Sequence, residues 1–471
     1  MLNKKIRKYL STTMLVTLSM SSLIGCSPKE VVSETAPETV VKEEVKEEAK
    51  EEAVPEEPAR DLGGIEIIIG DWWSTGEETP PATAQEEATQ EYRKMIQEKY
   101  NFKIKQVGLG GWAEHQETFT VSTMAEDPAA QVFIMAPSFV AQPMANGLFY
   151  DLATLESIDL TEDKWNEAVI QQMTKGDSVY GMTAGRVEPK LGVFWNKRLF
   201  QEAGLDPDLL YDLQASGEWT WEKFEELCTA LTKDKDNDGV NDTHAMASFS
   251  VELFQAATLS NNAKWVDKDA EGKYINATTK PEFLEAMQWA VGLIEKGYEM
   301  PTPEEAEWDW FISAFRDAKV AMTVAEEYKV GTWKEMEDDF GFVMFPKGPK
   351  ASNYATNIVE NIAVIPACYD KETAEKIAFA YNLWTNPTPG YEGEGDWKSS
   401  YYTAFRDERA VDETLEIMYQ PGVGRIDYLT LVYGMSFGDI SYNVYGLNQT
   451  PAEKIEEVSS TWQALLEDAN K

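Results

Sequence analysis

Four basic residues, Lys4, Lys5, Arg7 and Lys8, precede an apolar run from Met14 to Ile24. The run is shorter than the roughly 20 residues a spanning helix needs, and small residues close it. The pattern therefore predicts a secretory signal peptide over residues 1–25 rather than a transmembrane anchor. Hydrophobic periodicity then disappears. Residues 26–60 are rich in Glu, Lys, Val and Pro, as in Glu43-Glu44-Val45-Lys46-Glu47-Glu48, and poor in aromatics. That composition predicts a solvated, charged tether that builds no core.

From Ile65 onward the pattern becomes that of a folded protein. The β-branched run Ile65-Glu66-Ile67-Ile68-Ile69 ends in Gly70-Asp71-Trp72-Trp73 and predicts a strand. A helical pattern through Tyr92, Met95 and Ile96 follows, then a strand from Phe102 to Val107. A helix around Phe119 and Met124 and a third strand, Gln131 to Met135, complete the series. Such alternation predicts βαβ units on a largely parallel sheet, an α/β fold. The middle, about 195 to 335, is more helical, with segments at Trp221–Leu231, Phe283–Glu295 and Trp308–Arg316. Pro451 to Leu466 reads as an amphipathic helix with Pro451 in its first turn. No internal repeat is visible.

Cys26, directly after Leu23-Ile24-Gly25, sharpens the reading of the N-terminus. The stretch resembles the lipobox of bacterial lipoproteins, whose cysteine becomes the lipid-bearing first residue of the mature protein. The resemblance implies an extracytoplasmic protein held on the outer face of the cell membrane by acyl chains on Cys26. Two cysteines remain. Cys228 sits in an apolar helical pattern with Phe224, Leu227 and Leu231, and Cys368 follows the strand-like Ile362-Ala363-Val364-Ile365. A disulfide between them and two separately buried thiols both stay open, the separate thiols being favoured.

Charge narrows the ligand. The 471 residues carry 42 basic and 82 acidic side chains, of which 33 and 71 fall in residues 61–471. So acidic a globular part has no basic footprint for nucleic acid and disfavours polyanions, and a neutral or cationic ligand suits it better. Two histidines, His115 and His244, make a His-based metal centre improbable. No P-loop or HExxH motif occurs, and Gly108-Leu109-Gly110-Gly111 reads as a turn. Acidic residues are too abundant for a carboxylate pair to argue for a glycosidase.

Five ordered segments point to one family. Gly192-Val193-Phe194-Trp195-Asn196-Lys197-Arg198-Leu199-Phe200 through Ala203-Gly204-Leu205 resembles the "tyrosine–asparagine–lysine, leucine–phenylalanine, alanine–glycine–leucine" signature of maltose-binding-protein-like (family 1) solute-binding proteins of bacterial ABC importers. Trp219-Thr220-Trp221 follows, with Thr220 as an N-cap. Phe315 to Met322, Gly341 to Pro349 and Ala374 to Trp384 match further segments. Trp195 replaces the usual tyrosine, and Glu126-Asp127-Pro128-Ala129-Ala130 departs from the usual turn, which weakens transfer of an exact sugar specificity.

The resemblance covers about residues 61–471. It implies a two-lobed, type II Venus-flytrap fold with an interlobe cleft, closing on a carbohydrate and presenting it to permease subunits. It also implies a monomer without enzymatic activity. Lobe one is expected at 62–182 plus 357–398, lobe two at 183–356 plus 399–471. The alternatives are a secreted glycan-degrading enzyme, or a binding protein coupled to a sensor or to adhesion.

Sugar sites combine aromatic platforms with amide and carboxylate partners, and ligands bind at strand carboxyl ends. By that logic the candidates in the first lobe are Trp72 and Trp73 after the first strand, Trp112 and Glu114 after the second, and Ser138 after the third. In the second lobe they are Arg186, Glu188, Trp265, Glu326 and Tyr328, with Asn357 and Glu360 at the second crossover. Trp195, Trp289, Trp384 and Trp462 are assigned to packing.

One other motif stands out. In Asp234-Lys235-Asp236-Asn237-Asp238-Gly239-Val240-Asn241-Asp242, carboxylates at positions 1, 3, 5 and 9 and Gly at 6 follow the spacing of an EF-hand-type loop. Asp234, Asp236, Asp238 and Asp242, with the Val240 carbonyl, are candidate ligands for a structural Ca2+. Ala245 stands where the bidentate Glu belongs, so the loop is not a complete EF-hand. An acidic turn without an ion is the alternative, and similar loops in the resembled family hold structural calcium.

Overall fold

The computed structural model describes residues 60–77, 79–81, 83–185, 190–234, 236–392 and 397–471. The signal, Cys26 and nearly all of the tether lie outside them, as do Arg186 and Glu188. Among the described residues no helix is long and apolar enough to cross a membrane.

The first lobe is built on β1 (Ile65–Asp71), β2 (Phe102–Gly108) and β3 (Val132–Met135), with α1 (Ala84–Tyr100) and α2 (Trp112–Met124) as crossovers. β1 runs parallel to both β2 and β3, as the alternating pattern predicts. Its central place explains its apolar run: Ile67 and Ile69 are buried, and Gly70 is tight because a Cβ there would meet Leu109 Cδ1 at 2.3 Å and Ala130 Cβ at 3.0 Å. Thr83 caps α1 by accepting the Glu86 N–H, and Asn101 ends it in the left-handed region at φ 53°. A hairpin, β4 (Thr174–Lys175) and β5 (Ser178–Val179), precedes the first crossing.

The second lobe holds β6 (Leu191–Asn196), β7 (His244–Ser248), the hairpin β8 (Val266–Lys268) and β9 (Tyr274–Asn276), β10 (Val320–Glu326) and β11 (Phe340–Met344). Its main sheet runs β11-β6-β10-β7, with β6 antiparallel to both neighbours and β10 parallel to β7. Every residue of β6 is buried. The signature after it has a structural cause. Asn196 Oδ1 accepts the Leu199 N–H and so caps the next helix, while Lys197 bonds Asp208 and Asp407 at 2.6 and 2.5 Å.

The chain returns through β12 (Thr356–Asn357), and β13 (Ile362–Val364) adds to β3 antiparallel, giving the first sheet the order β13-β3-β1-β2. β12 also pairs in parallel with β14 (Gly424–Arg425) from the C-terminal part of the chain. Most buried residues after 400, Phe405 to Leu466, join the second core, while Leu431 packs on the first. The last helix, Pro451–Ala469, starts with a reciprocal Thr450–Glu453 capping box. Just beyond its end, Asn470 bonds both the N–H and the carbonyl of Tyr274 on β9, at 2.8 and 2.9 Å. Cys228 and Cys368 are free thiols, Cys228 fully buried.

Candidate functional site

The site begins with the carboxylate that ends β1. Asp71 is fully buried, and four donors converge on it: the N–H groups of Trp73 and Ser74, the Ser74 hydroxyl and the Gln106 amide, at 2.5 to 3.0 Å. These bonds turn the chain sharply and fix Trp72 and Trp73 at the carboxyl edge of the sheet. Trp72 meets Trp73 edge-on at 4.7 Å and Trp112 edge-on at 4.9 Å. Phe139 supports Trp112 at 4.4 Å. Trp73 and Trp112 are each 51% exposed. Half-bare indoles packed this firmly form a rigid platform, not a core.

Between the lobes a cavity of about 460 Å³ opens beside Trp73. Both crossing segments line it, through Thr183–Gly185 and Val359–Asn361, and so do Gln106 and Lys190. Its far side is aromatic. Trp397 packs on Tyr419 at 4.4 Å and on Tyr401 at 5.8 Å, and the two tyrosine hydroxyls lie 3.2 Å apart. Lys190 forms an ion pair with Glu327 at 3.6 Å, both side chains nearly buried.

The structure thus brings Trp72, Trp73 and Trp112 together and sets Trp73 and Glu360 on one cavity. Glu114 and Ser138 are exposed near the platform. Glu326 and Tyr328 lie at the carboxyl end of β10, where Lys329 Nζ stands 4.9 Å from the Tyr328 ring centroid and 5.2 Å from that of the exposed Trp308. Beside them is a residue the sequence did not single out. Burial and the neighbouring Glu326 raise the Glu252 carboxyl well above its ordinary value, and Glu252 Oε2 has no hydrogen-bond partner among the described residues.

Two expectations need correction. Trp265 is 1% exposed and belongs to the second core, edge-on to Phe283 and Phe437, with its indole N–H bonded to Thr258. The polar Asn261 before it also points inward, bonding the Glu282 carbonyl and the Glu285 carboxylate. Asn357 is buried as well. Its Oδ1 accepts the Leu191 N–H at 3.1 Å, tying the second crossing to β6. Trp397, Tyr401 and Tyr419 were missed because no periodicity marks them. For Trp397 and Tyr401, proximity to the Gly- and Pro-rich stretch at 387–396 was the one available signal.

The acidic loop folds on itself. Asp234 accepts the N–H groups of Asp238 and Gly239, Asp236 also accepts from Asp238, and Asp238 accepts from Val240. Asn237 and Gly239 take left-handed φ of 59° and 91°. Carboxylate oxygens of Asp234, Asp236 and Asp242 lie within 4.8 Å of one another despite their like charge, a hard oxygen donor set that fits Ca2+. Val240 is 66% exposed, and Ala245, at the twelfth position, is buried in β7.

A sequence profile of the bacterial extracellular solute-binding proteins matches residues 91–392. No curated protein sequence matches. Among solved structures, the chain is similar to the GacH receptor of Streptomyces glaucescens, described unliganded and with acarbose, at 16% identity and TM-score 0.60, over 86% of this chain and 99% of that one. It is similar to the cyclic alpha-maltosyl-1,6-maltose binding protein of Arthrobacter globiformis, at 16% identity and TM-score 0.61, over 86% and 100%. UgpB of Mycobacterium tuberculosis, in complex with glycerophosphocholine, gives 15% identity and TM-score 0.60, over 85% and 98%. At these identities the likeness establishes the two-lobed fold.

Proposed function

The chain belongs to the bacterial extracellular solute-binding proteins, and from that premise we propose that it captures a carbohydrate, a neutral oligosaccharide in the first place, for an ABC importer. The observation that carries the reading is the Trp72–Trp73–Trp112 platform, two of its indoles half exposed, at the end of the central strand of the first lobe. Sugar rings offer flat C–H faces to such indoles and hydroxyls to the amide and carboxylate groups of Gln106, Asn361 and Glu360 around the neighbouring cavity. Similar proteins with acarbose or a cyclic maltose derivative support the ligand class. On this reading the protein acts by binding, as expected of its family.

Function follows from hinge motion. The lobes, bounded near 62–182 plus 357–398 and 183–356 plus 399–471, close on the ligand, and the closed monomer is what permease subunits accept. Acyl chains on Cys26 and the tether to residue 60 keep it near them at the outer face of the membrane, raising effective concentration. Asp234, Asp236, Asp238 and Asp242, with the Val240 carbonyl, would hold a structural Ca2+ that neutralises their mutual repulsion.

The test is calorimetric titration with maltotetraose, mannotriose, glycerophosphocholine and a mixed tripeptide. Saturable binding of a glycan is expected. Binding of the tripeptide or glycerophosphocholine with no glycan binding would sink the carbohydrate assignment.

A further inference from the structure

Behind the platform lies a group that ligand binding, as read above, leaves unused. His115, on α2 three residues after Trp112, is fully buried. Its Nε2 stands 2.9 Å from the carbonyl oxygen of Ile134 on β3. A carbonyl only accepts, so Nε2 carries the proton and Nδ1 keeps a lone pair. Nδ1 is buried and has no hydrogen-bond partner among the described residues. The rings of Trp72, Phe133 and Phe139 surround the imidazole, with centroids 5.3, 5.9 and 6.4 Å away.

The charged groups nearby offer little relief. Asp71, at the end of β1, attracts a proton to the ring, but its carboxylate already accepts four hydrogen bonds. Glu114 and Glu117 on α2 are exposed to solvent, and neither β3 nor the turn Pro137–Phe139 carries a charged side chain. Burial outweighs Asp71 and the Ile134 bond and lowers the imidazole below the ordinary histidine value of 6.5.

Trp72 is shared: His115 supports it from within, while Trp73 and Trp112 lean on it from the solvent side. We infer that His115 is a positioning residue of the binding platform and makes that platform acid-labile. A second proton, on Nδ1, sets a cation among three rings with no acceptor in reach, and Trp72 must move for water to enter. Because the folded form prefers the neutral ring, its contribution is present above about pH 6.5 and lost as the pH falls through the lower folded value. The inference rests on the platform reading of the site.

The intact chain is titrated from pH 7.5 to 4.5 by imidazole NMR, the His115 resonance being assigned by its loss in His115→Gln. It is expected to titrate below 6.5, with acrylamide quenching of tryptophan fluorescence rising on the same curve. Affinity for maltotetraose or mannotriose, whichever binds at pH 7.5, falls about tenfold by pH 5, ~1.4 kcal/mol of binding free energy. The Gln variant, whose Nε2 still donates to Ile134, holds its pH 7.5 quenching and affinity down to pH 5. His115→Phe serves as a second non-titrating variant. A quenching curve that either variant reproduces, or titration of His115 with no change in quenching, overturns the inference. NMR and quenching need no ligand, so failure to bind any glycan counts against the proposed function alone.

Discussion

Trp73 and Trp265 carry the same side chain, and in sequence each sits close to polar residues in a loop. One is 51% exposed at the rim of the interlobe cavity, the other 1% exposed inside the second core. The difference lies in what the neighbouring polar residues do. Asp71 directs three of its four hydrogen bonds to the turn itself, which throws the following indoles outward. Asn261 spends its bonds on Glu282 and Glu285, and Asp427 accepts the N–H groups of Trp265 and Val266, which draws that loop inward. A polar residue before a tryptophan marks solvent when most of its bonds close its own turn.

The largest expected effect tests the buried member of the pair. Trp265→Ala should destabilise the protein by about 3–5 kcal/mol, measured by chemical denaturation, because it empties a packed site. A change below 1 kcal/mol would mean that the indole is not core.

The same contrast separates two buried carboxylates. Asp71 has four donors, whereas among the described residues Glu299 Oε2 has no partner and its other oxygen is bonded by the Ser248 N–H and the Tyr445 hydroxyl. Burial pushes the Glu299 carboxyl up to about 8 from 4.5. An acid raised on folding holds its proton more tightly in the folded state. Its stabilisation is therefore full below pH 4.5 and lost as the pH rises through 8. Denaturation midpoints of the wild type should carry that loss across this window, and Glu299→Gln should flatten it. Equal slopes in both proteins would refute the assignment.

A smaller effect belongs to the exposed member. Trp73→Ala should weaken glycan binding about tenfold, ~1.4 kcal/mol by calorimetry, with a stability change under about 1 kcal/mol. If stability fell as much as in Trp265→Ala, the two tryptophans would be alike and the platform reading would fail. The smallest effect concerns carboxylates with no core around them. At calcium a few-fold above its Kd the protein should gain about 1 kcal/mol, seen as a rise in Tm that Asp236→Asn abolishes. A Tm indifferent to calcium and EDTA would leave Asp234, Asp236 and Asp242 an acidic turn.

These contrasts also indicate what a sequence can disclose. β1 to β3 and their crossovers were legible because a central strand must be largely apolar and its helices keep one wet face. Trp72 and Trp73 were legible because they directly follow such a strand. Trp265 misled because hydrogen-bond partners 21 and 162 residues away decide where Asn261 and Asp427 point. Trp397, Tyr401 and Tyr419 reach the cavity only through the tertiary path of the C-terminal segment, which local pattern does not encode.

Asn470 gives the last turn of the chain a use in protein engineering. With its side-chain amide gripping both backbone groups of Tyr274, the C-terminus is stapled to the β8–β9 hairpin of the second lobe. A fluorescent reporter fused after Lys471 would therefore ride on that lobe with little slack. Paired with a dye on α2 of the first lobe, it would test the proposed hinge closure directly, with no long linker to blur the distance.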